Sequence, residues 1–373
     1  MIPFNKPTAT GKEIRYIKQA VRSGKISGNG IFTQKCQSFF QEKYGFNKCL
    51  LTTSCTDALE MAAILLEIKP GDEVIVPSYT FVSTALAFVR QGAKIIFADS
   101  CKDHPGVDED RIEELISPKT KAIVVVHYAG VACDMAKIMN IANRHNVFVV
   151  EDAALAIDSY YKEKPLGSLG HLGCFSFHET KNIQCGEGGM LVVNDRSFEK
   201  RAEIIWEKGT NRSEFYRGEV NKYGWVDTGS SFLPSEISAA FLWAQIEKLD
   251  AIQQKRKDIW KRYYEGLSDW AKEINIQLPF IPEYASNNAH MFYLVCNNID
   301  QRTDLMNKLK SDGILAVFHY LSLHNSPYYK EKYSGKELVQ ADRYSDCLLR
   351  LPLYYDLSGH DLKPIINSCC GFK

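Results

Sequence analysis

Four short runs constrain this chain more than anything else in it: DEVIVP (72–77), AKIIFAD (93–99), KAIVVVH (121–127) and VFVVED (147–152). They are apolar almost throughout. A strand with one wet face alternates polar and apolar residues, whereas a strand covered on both faces by helices does not. Short β-branched runs followed by amphipathic stretches recur over the first two-thirds of the chain, which predicts parallel βα units. The expected fold is α/β, a mostly parallel central sheet with helices on both faces. Residues 53–67 carry Leu59, Ala62, Ala63 and Leu66 at helical spacing behind Thr-Ser-Cys-Thr, a start rich in capping oxygens. The last three of the four runs end in Asp99, His127 and Asp152. Ligands of open α/β sheets gather at the carboxyl ends of the strands, so these three side chains are expected to face one crevice.

Beyond Gly189, MLVVND predicts another strand and 195–208 a charged helix. Residues 209–232 show no helical or strand period, and a loop of that length is functional or an oligomer contact. A helical region over 234–268, broken near Asp250, leads to strands near 291–296 and 314–320 and helices near 301–312 and 341–350. With 373 residues, more than one small domain holds, the expected division is a large domain over 1–250 and a small C-terminal α/β domain over 251–373.

Lys+Arg and Asp+Glu are both 45, so the formal charge is zero and nothing draws the chain to nucleic acid or an anionic membrane. Any anionic ligand must be held by a local site. The opening MIPFNKPTATGKEI has no charged region ahead of an apolar core, and no apolar run approaches the ~20 residues that span a bilayer. A cytoplasmic protein is expected. Eleven scattered cysteines without a C-x-x-C pair predict reduced, buried thiols rather than disulfides or structural zinc.

Three segments are polar where the fold prefers apolar residues: Glu151-Asp152-Ala153-Ala154 closing a strand, Phe175–Asn182 (FSFHETKN) with Lys181 after a short aromatic strand, and Gly186–Gly189 (GEGG). Singly they read as a cap, a surface lysine and a turn. A buried carboxylate at a strand end nevertheless needs a partner, because an isolated charge is costly at low dielectric.

Together and in this order, with IPFNKP, PGDEVIVPSYTFVSTA, VVHYAGVACDM and the late AVFHYLSLH, they resemble the DegT/DnrJ/EryC1/StrS sugar-nucleotide aminotransferases over essentially the whole chain. The resemblance implies a fold-type I enzyme dependent on pyridoxal 5'-phosphate. It implies that Lys181 links covalently to the cofactor aldehyde and then moves protons. It implies that Asp152 pairs with the pyridine nitrogen, that Phe81 stacks on the ring, and that Ser54, Cys55, Thr56 and Ser176 hold the phosphate at a helix N-terminus. It further implies a dTDP-4-keto-6-deoxyhexose substrate, L-glutamate as donor, and a homodimer whose subunits complete each other's sites. Candidate substrate contacts are Glu179, Arg212, Arg217, His319, Tyr320 and His324. The spacing of His319 and His324, with no carboxylate beside them, is poor for metal, and no metal is expected. The chain departs from the family at Leu155, where Gln or His usually stands, and at Leu233, where an Asn is common; Asn211, Arg212, Ser230 or Ser231 are candidates to replace the latter.

Overall fold

The computed structural model describes all 373 residues. Helices α1 (Glu13–Arg22) and α2 (Ile31–Tyr44) precede β1 (Lys48–Thr52), α3 (Cys55–Leu65), β2 (Glu73–Pro77), α4 (Ser83–Arg90), β3 (Lys94–Ala98), β4 (Thr120–Val126), α5 (Met135–His145) and β5 (Phe148–Asp152). A hairpin, β6 (Tyr160–Tyr161) and β7 (Lys164–Pro165), leads to β8 (Leu172–Ser176) and β9 (Gly189–Val193), and then to α6 (Glu199–Trp206) and α7 (Arg212–Tyr216). The helical region expected after Pro234 is two helices, α8 (Glu236–Ile246) and α9 (Leu249–Glu273).

The seven-stranded sheet runs β1-β9-β8-β5-β4-β2-β3. β3, β2, β4, β5 and β8 pair in parallel, and only β9 is reversed, antiparallel to both β8 and β1. The apolar runs behave as their composition requires: the inner positions of β2, β4 and β5 are buried on both faces. One face packs against α3, whose Ala58, Leu59, Met61, Ala62, Ala63 and Leu65 are all buried; the other packs against α2, α5 and α8.

The second sheet is antiparallel, with β12 (Leu348–Leu351) between β10 (Phe292–Val295) and β11 (Val317–Phe318). Helices α10 (Ile299–Ser311), α11 (Val339–Cys347) and α12 (Gly359–Cys370) complete this part. The helix expected over 341–350 therefore stops at Cys347, and Leu-Leu-Arg-Leu before Pro352 forms the central strand. Its alternation sorts the side chains. Leu349 and Leu351 join the core with Tyr263 and Leu362, while Leu348 joins the core of the large sheet. Arg350, two residues on, shares the side of Leu348. Ile2 pairs with Ile314, so the first residues run alongside this sheet.

Of the three strand-end residues, only Asp152 faces the crevice. Asp99 turns away to accept the Gln340 and Ala341 N–H groups at the start of α11. His127 is fully buried: its Nδ1 accepts the Cys133 N–H, so Nε2–H donates to Glu151 at 2.9 Å. Glu151, also fully buried, accepts the N–H groups of Gly167, Leu169 and Gly170 at 2.6–2.7 Å. Its charge is thereby answered by four donors. Removing one member of such a buried charged network costs about 3–5 kcal/mol. Glu151→Ala is expected to lose that much in urea unfolding, and a loss under about 1 kcal/mol would show that the loop over 167–170 does not depend on the carboxylate.

Candidate active site

A cavity of about 490 Å³ opens at the carboxyl ends of the large sheet. Ser54, Cys55 and Thr56 form one wall, Thr80, Phe81 and Ser83 a second, and Asp152, Ser176 and Lys181 the floor; His290, His319, Tyr320 and Arg350 close it from the small-sheet side.

The Ser54 side chain caps α3 by accepting the Asp57 N–H at 3.0 Å. The N–H groups of Cys55 and Thr56 precede the first bonded turn and so have no partner within the helix. Gly189 makes this mouth possible. A Cβ there would stand 2.3–2.5 Å from the Ser54 carbonyl and the Cys55 nitrogen, so β9 can lie against the start of α3 only without a side chain. The expected flexible turn thus ends in a position fixed by close packing. Ser176, at the end of β8, is buried, and its hydroxyl accepts the His178 N–H.

Asp152 is held from two sides. Thr84 donates its hydroxyl to Oδ2 at 2.7 Å and the Ala154 N–H reaches Oδ1 at 3.1 Å. Burial nonetheless raises its pKa, with these two bonds and the Lys181 charge opposing. Lys181 follows the aromatic strand in a short loop and makes no salt bridge. Burial, assisted by the Arg350 charge, pulls its amine down to about 8, against the opposite influence of Cys55 and Asp152. Above that pH the amine is mainly neutral and nucleophilic. His290 and His319 are both held well below the usual histidine range, first by burial and then by Lys181 and Arg350, so the cavity contains neutral imidazoles. His290 donates from Nδ1 to Asn182, and His319 Nδ1 lies 3.0 Å from the Tyr128 hydroxyl. Phe81 is 55% exposed, its ring 5.9 Å from Tyr320, a free aromatic face at the rim.

The structure therefore brings Lys181, Asp152, Ser54, Cys55, Thr56, Phe81, Ser176, His319 and Tyr320 to one cavity. Four expected residues lie elsewhere in the chain. Glu179 is exposed and contributes only its backbone, accepting from Asn5. Arg212 stacks on Tyr216, and Arg217 is paired with Glu203 and Glu219; Arg212 opens α7, a short helix inside the stretch that has no period in sequence, and Arg217 caps its end. His324 is buried against Ser78 at 2.7 Å. Leu155 does line the cavity, whereas Leu233 packs against Gly28 instead. His290, Thr84 and Arg350 were not anticipated. For Arg350 a signal exists: it is the one charge in the run LLRLPL.

A wider concavity of about 720 Å³ lies apart from this site, over Cys101, Asp103 and His104. Two of its potential ligating atoms are engaged: His104 Nδ1 accepts the Gly106 N–H, and the Cys101 thiol donates to the Val107 carbonyl.

Comparison with known proteins places this geometry. The pattern of the DegT/DnrJ/EryC1/StrS aminotransferase family matches residues 7–369, and the chain belongs to that family. It is 31% identical to the spore coat polysaccharide biosynthesis protein SpsC of Bacillus subtilis, over 98% of this chain and 96% of SpsC. Among solved structures it matches Spr1654 of Streptococcus pneumoniae, assigned as a sugar aminotransferase and solved in its PMP form, with a TM-score of 0.91 at 26% identity over 99% and 98% of the two chains. It also matches the aminotransferase TlmJ of Streptoalloteichus hindustanus, with a TM-score of 0.90 at 27% identity over 99% and 97%. The fold is that of the fold-type I enzymes, and the chain is a pyridoxal-phosphate-dependent sugar aminotransferase.

The residues present fit that cofactor. The α3 N-terminus and the hydroxyls of Ser54 and Ser176 can take a phosphate, Phe81 can cover a ring, and Lys181 offers a partly neutral amine to an aldehyde. Capture of pyridoxal phosphate by the unloaded protein should accelerate as pH rises, then level off above about 8. Stopped-flow absorbance checks this, and acceleration continuing to pH 10 would mean that the reacting amine is an ordinary exposed lysine.

Proposed function

We propose that the protein transfers the amino group of L-glutamate to C4 of dTDP-4-keto-6-deoxy-D-glucose, giving 2-oxoglutarate and dTDP-4-amino-4,6-dideoxy-D-galactose for a surface polysaccharide. The observation that carries this reading is the pairing of Lys181, its amine lowered to about 8, with a buried Asp152 held by Thr84 and Ala154 on the floor of one cavity. The nucleotide and the galacto product are supported by SCT (54–56), HYAGVAC (127–133), FSFHETKN (175–182) and EKGTNRS (207–213), which resemble the enzymes forming that sugar.

Pyridoxal phosphate, when bound, supplies an electron sink conjugated to the substrate carbon. Asp152, held by Thr84 and Ala154, would keep a proton at the pyridine nitrogen through its negative charge. Lys181, whose amine is lowered to about 8, would hold the cofactor through its aldehyde and, once freed by the donor's amine, would serve as the base and acid that moves the substrate's proton. Ser54, Cys55, Thr56 and Ser176 anchor the phosphate. Phe81 covers one face of the ring. His319 and Tyr320 border the space left for the sugar.

A homodimer in the cytoplasm fits the reading. No helix is long and apolar enough to cross a membrane. The loop over 209–232 exposes Tyr216, Tyr223 and Trp225, the last 85% exposed, and aromatic clusters of this kind mark interfaces. Arg212, whose guanidinium bonds only Tyr216, would then be available to a neighbour's cavity, whereas Arg217 is held by Glu203 and Glu219.

NMR of the product formed from L-glutamate and dTDP-4-keto-6-deoxy-D-glucose tests the assignment: an axial C4 amine is expected, and an equatorial one or no amination would refute it. In the same assay Asp152→Asn should leave the fold intact. A hydrogen bond to a charged group contributes about 1.5–3 kcal/mol, so turnover is expected to fall roughly 10- to 100-fold. Unchanged single-turnover rates would remove Asp152 from the reaction.

A further inference from the structure

A chain of buried amides fixes one imidazole of the cavity in a single tautomer. Asn182, the residue after Lys181, spends both hydrogens of its amide nitrogen: one goes to the Gln253 side-chain oxygen at 2.7 Å, the other to the Asn288 backbone carbonyl at 2.9 Å. A backbone carbonyl only accepts, so the orientation of the Asn182 amide is fixed. Its oxygen therefore faces His290 Nδ1, 2.9 Å away, and that nitrogen must carry the proton. At the other end Gln253, on α9, donates its own amide to the Asp158 carboxylate at 3.3 Å, which orients Gln253 in turn. Every link donates toward Asp158. Asn288 holds the His290 backbone as well: its amide nitrogen is spent on the Leu155 and Ile157 carbonyls, and its oxygen accepts the His290 N–H.

Nε2 is left as a bare acceptor. No group of the chain bonds it, and the ring, only 4% exposed, borders the cavity just ahead of β10. Burial, with the Lys181, Arg350 and Arg256 charges, keeps the imidazole neutral, so this nitrogen is no cation for an anion to seek. A lone pair takes one class of partner, a group with a hydrogen to give. The donor's carboxylates, the sugar's pyrophosphate and its keto oxygen have none, and the donor's amine is handed over at Lys181 in the first half of the reaction. A hydroxyl remains. The carbon that reacts over Lys181 is C4, and of its two neighbours only C3 bears one, since C5 carries the methyl group. We propose that His290 Nε2 accepts the C3 hydroxyl of the keto sugar, which makes His290 a specificity-determining residue of the second half of the reaction. The inference rests on the aminotransferase reading above and deepens it. Buried groups built to meet a hydroxyl discriminate against an analogue that lacks it, because they are then left unpaired.

The test takes the protein with its cofactor in the amine form and compares dTDP-4-keto-6-deoxy-D-glucose with its 3-deoxy analogue in the wild type, His290→Asn and His290→Gln. Asparagine keeps an N–H where Nδ1 stands and lacks Nε2; glutamine brings a carboxamide oxygen to the Nε2 position. For the hydroxylated sugar kcat/KM is expected to fall roughly 3- to 10-fold in His290→Asn, the size of one neutral hydrogen bond, with partial recovery in His290→Gln. For the 3-deoxy sugar the three proteins should agree within about twofold. An equal fall on both sugars would reduce His290 to a wall and overturn the proposal. A fall of the same size in the L-glutamate half-reaction would overturn it in favour of the Lys181 amine. A second readout is independent of turnover: among the nine histidines, the imidazole 15N signals lost in His290→Asn should show Nδ1 protonated and Nε2 bare. The keto sugar, added to the cofactor-loaded wild type without a donor, should shift that Nε2 signal, and the 3-deoxy analogue should not. A protonated Nε2 would overturn the proposal before any sugar is added. If His290→Asn does not fold, His290→Gln identifies the signals and the two sugars are compared on the wild type. Should the wild type aminate a different keto sugar nucleotide, the dTDP-sugar assignment falls alone, and equal kcat/KM for that sugar and its analogue without the hydroxyl beside the ketone would overturn the acceptor.

Discussion

The site depends on how β5 ends. Successive residues of a strand point to opposite faces, so two adjacent carboxylates there cannot share one partner, and each needs its own. Glu151 is locked to three backbone N–H groups and to His127 on one side of the sheet. That locking fixes the strand's last turn of pleat, and Asp152 is thereby presented to the cavity at a set position, braced by Thr84 from α4. The structural acid and the proposed functional acid are neighbours with different work, and the second is placed by the first.

How much of this was legible follows from which interactions are local. The parallel strands were, because burial on both faces writes itself into composition, and so were Ser54 as a cap and Lys181 after its strand. Asp99 and His127 occupy the predicted strand ends yet turn aside, because α11 and the Glu151 network compete for them; neither competitor is visible from spacing. His324 sits five residues from His319 and is taken up by Ser78, 246 residues away in sequence. Arg212 and Arg217 satisfied the need for local cations but found acidic and aromatic partners on their own surface. Arg350 was missed because 348–350 was assigned to a helix, where a charge is unremarkable; in the middle of a buried strand it is conspicuous.

The small sheet and the first residues of the chain act on the site together. Ile2 pairs beside β11 through Ile314, Phe4 backs Arg350, and the Asn5 side chain donates to the Glu179 carbonyl in the lysine loop. Residues from opposite ends of the sequence thus brace the two sides of one cavity, and the IPFN motif has a physical reason to be apolar, aromatic and amide-bearing in that order.

The two sheets share a continuous apolar cluster in which Val74 and Val76 of β2 lie with Tyr293, Val295 and Leu348 of the small sheet, while Tyr79 packs at a tilt on Tyr344 and Tyr128 edge-on against Tyr293. A hinge between them would have to tear those rings apart and wet the gap. The jaws of this molecule are therefore fused, and entry and exit of two unlike substrates fall to small parts at the rim, of which the Phe81 ring is the freest, since the Tyr320 ring it faces is itself packed on Tyr79 and Tyr128.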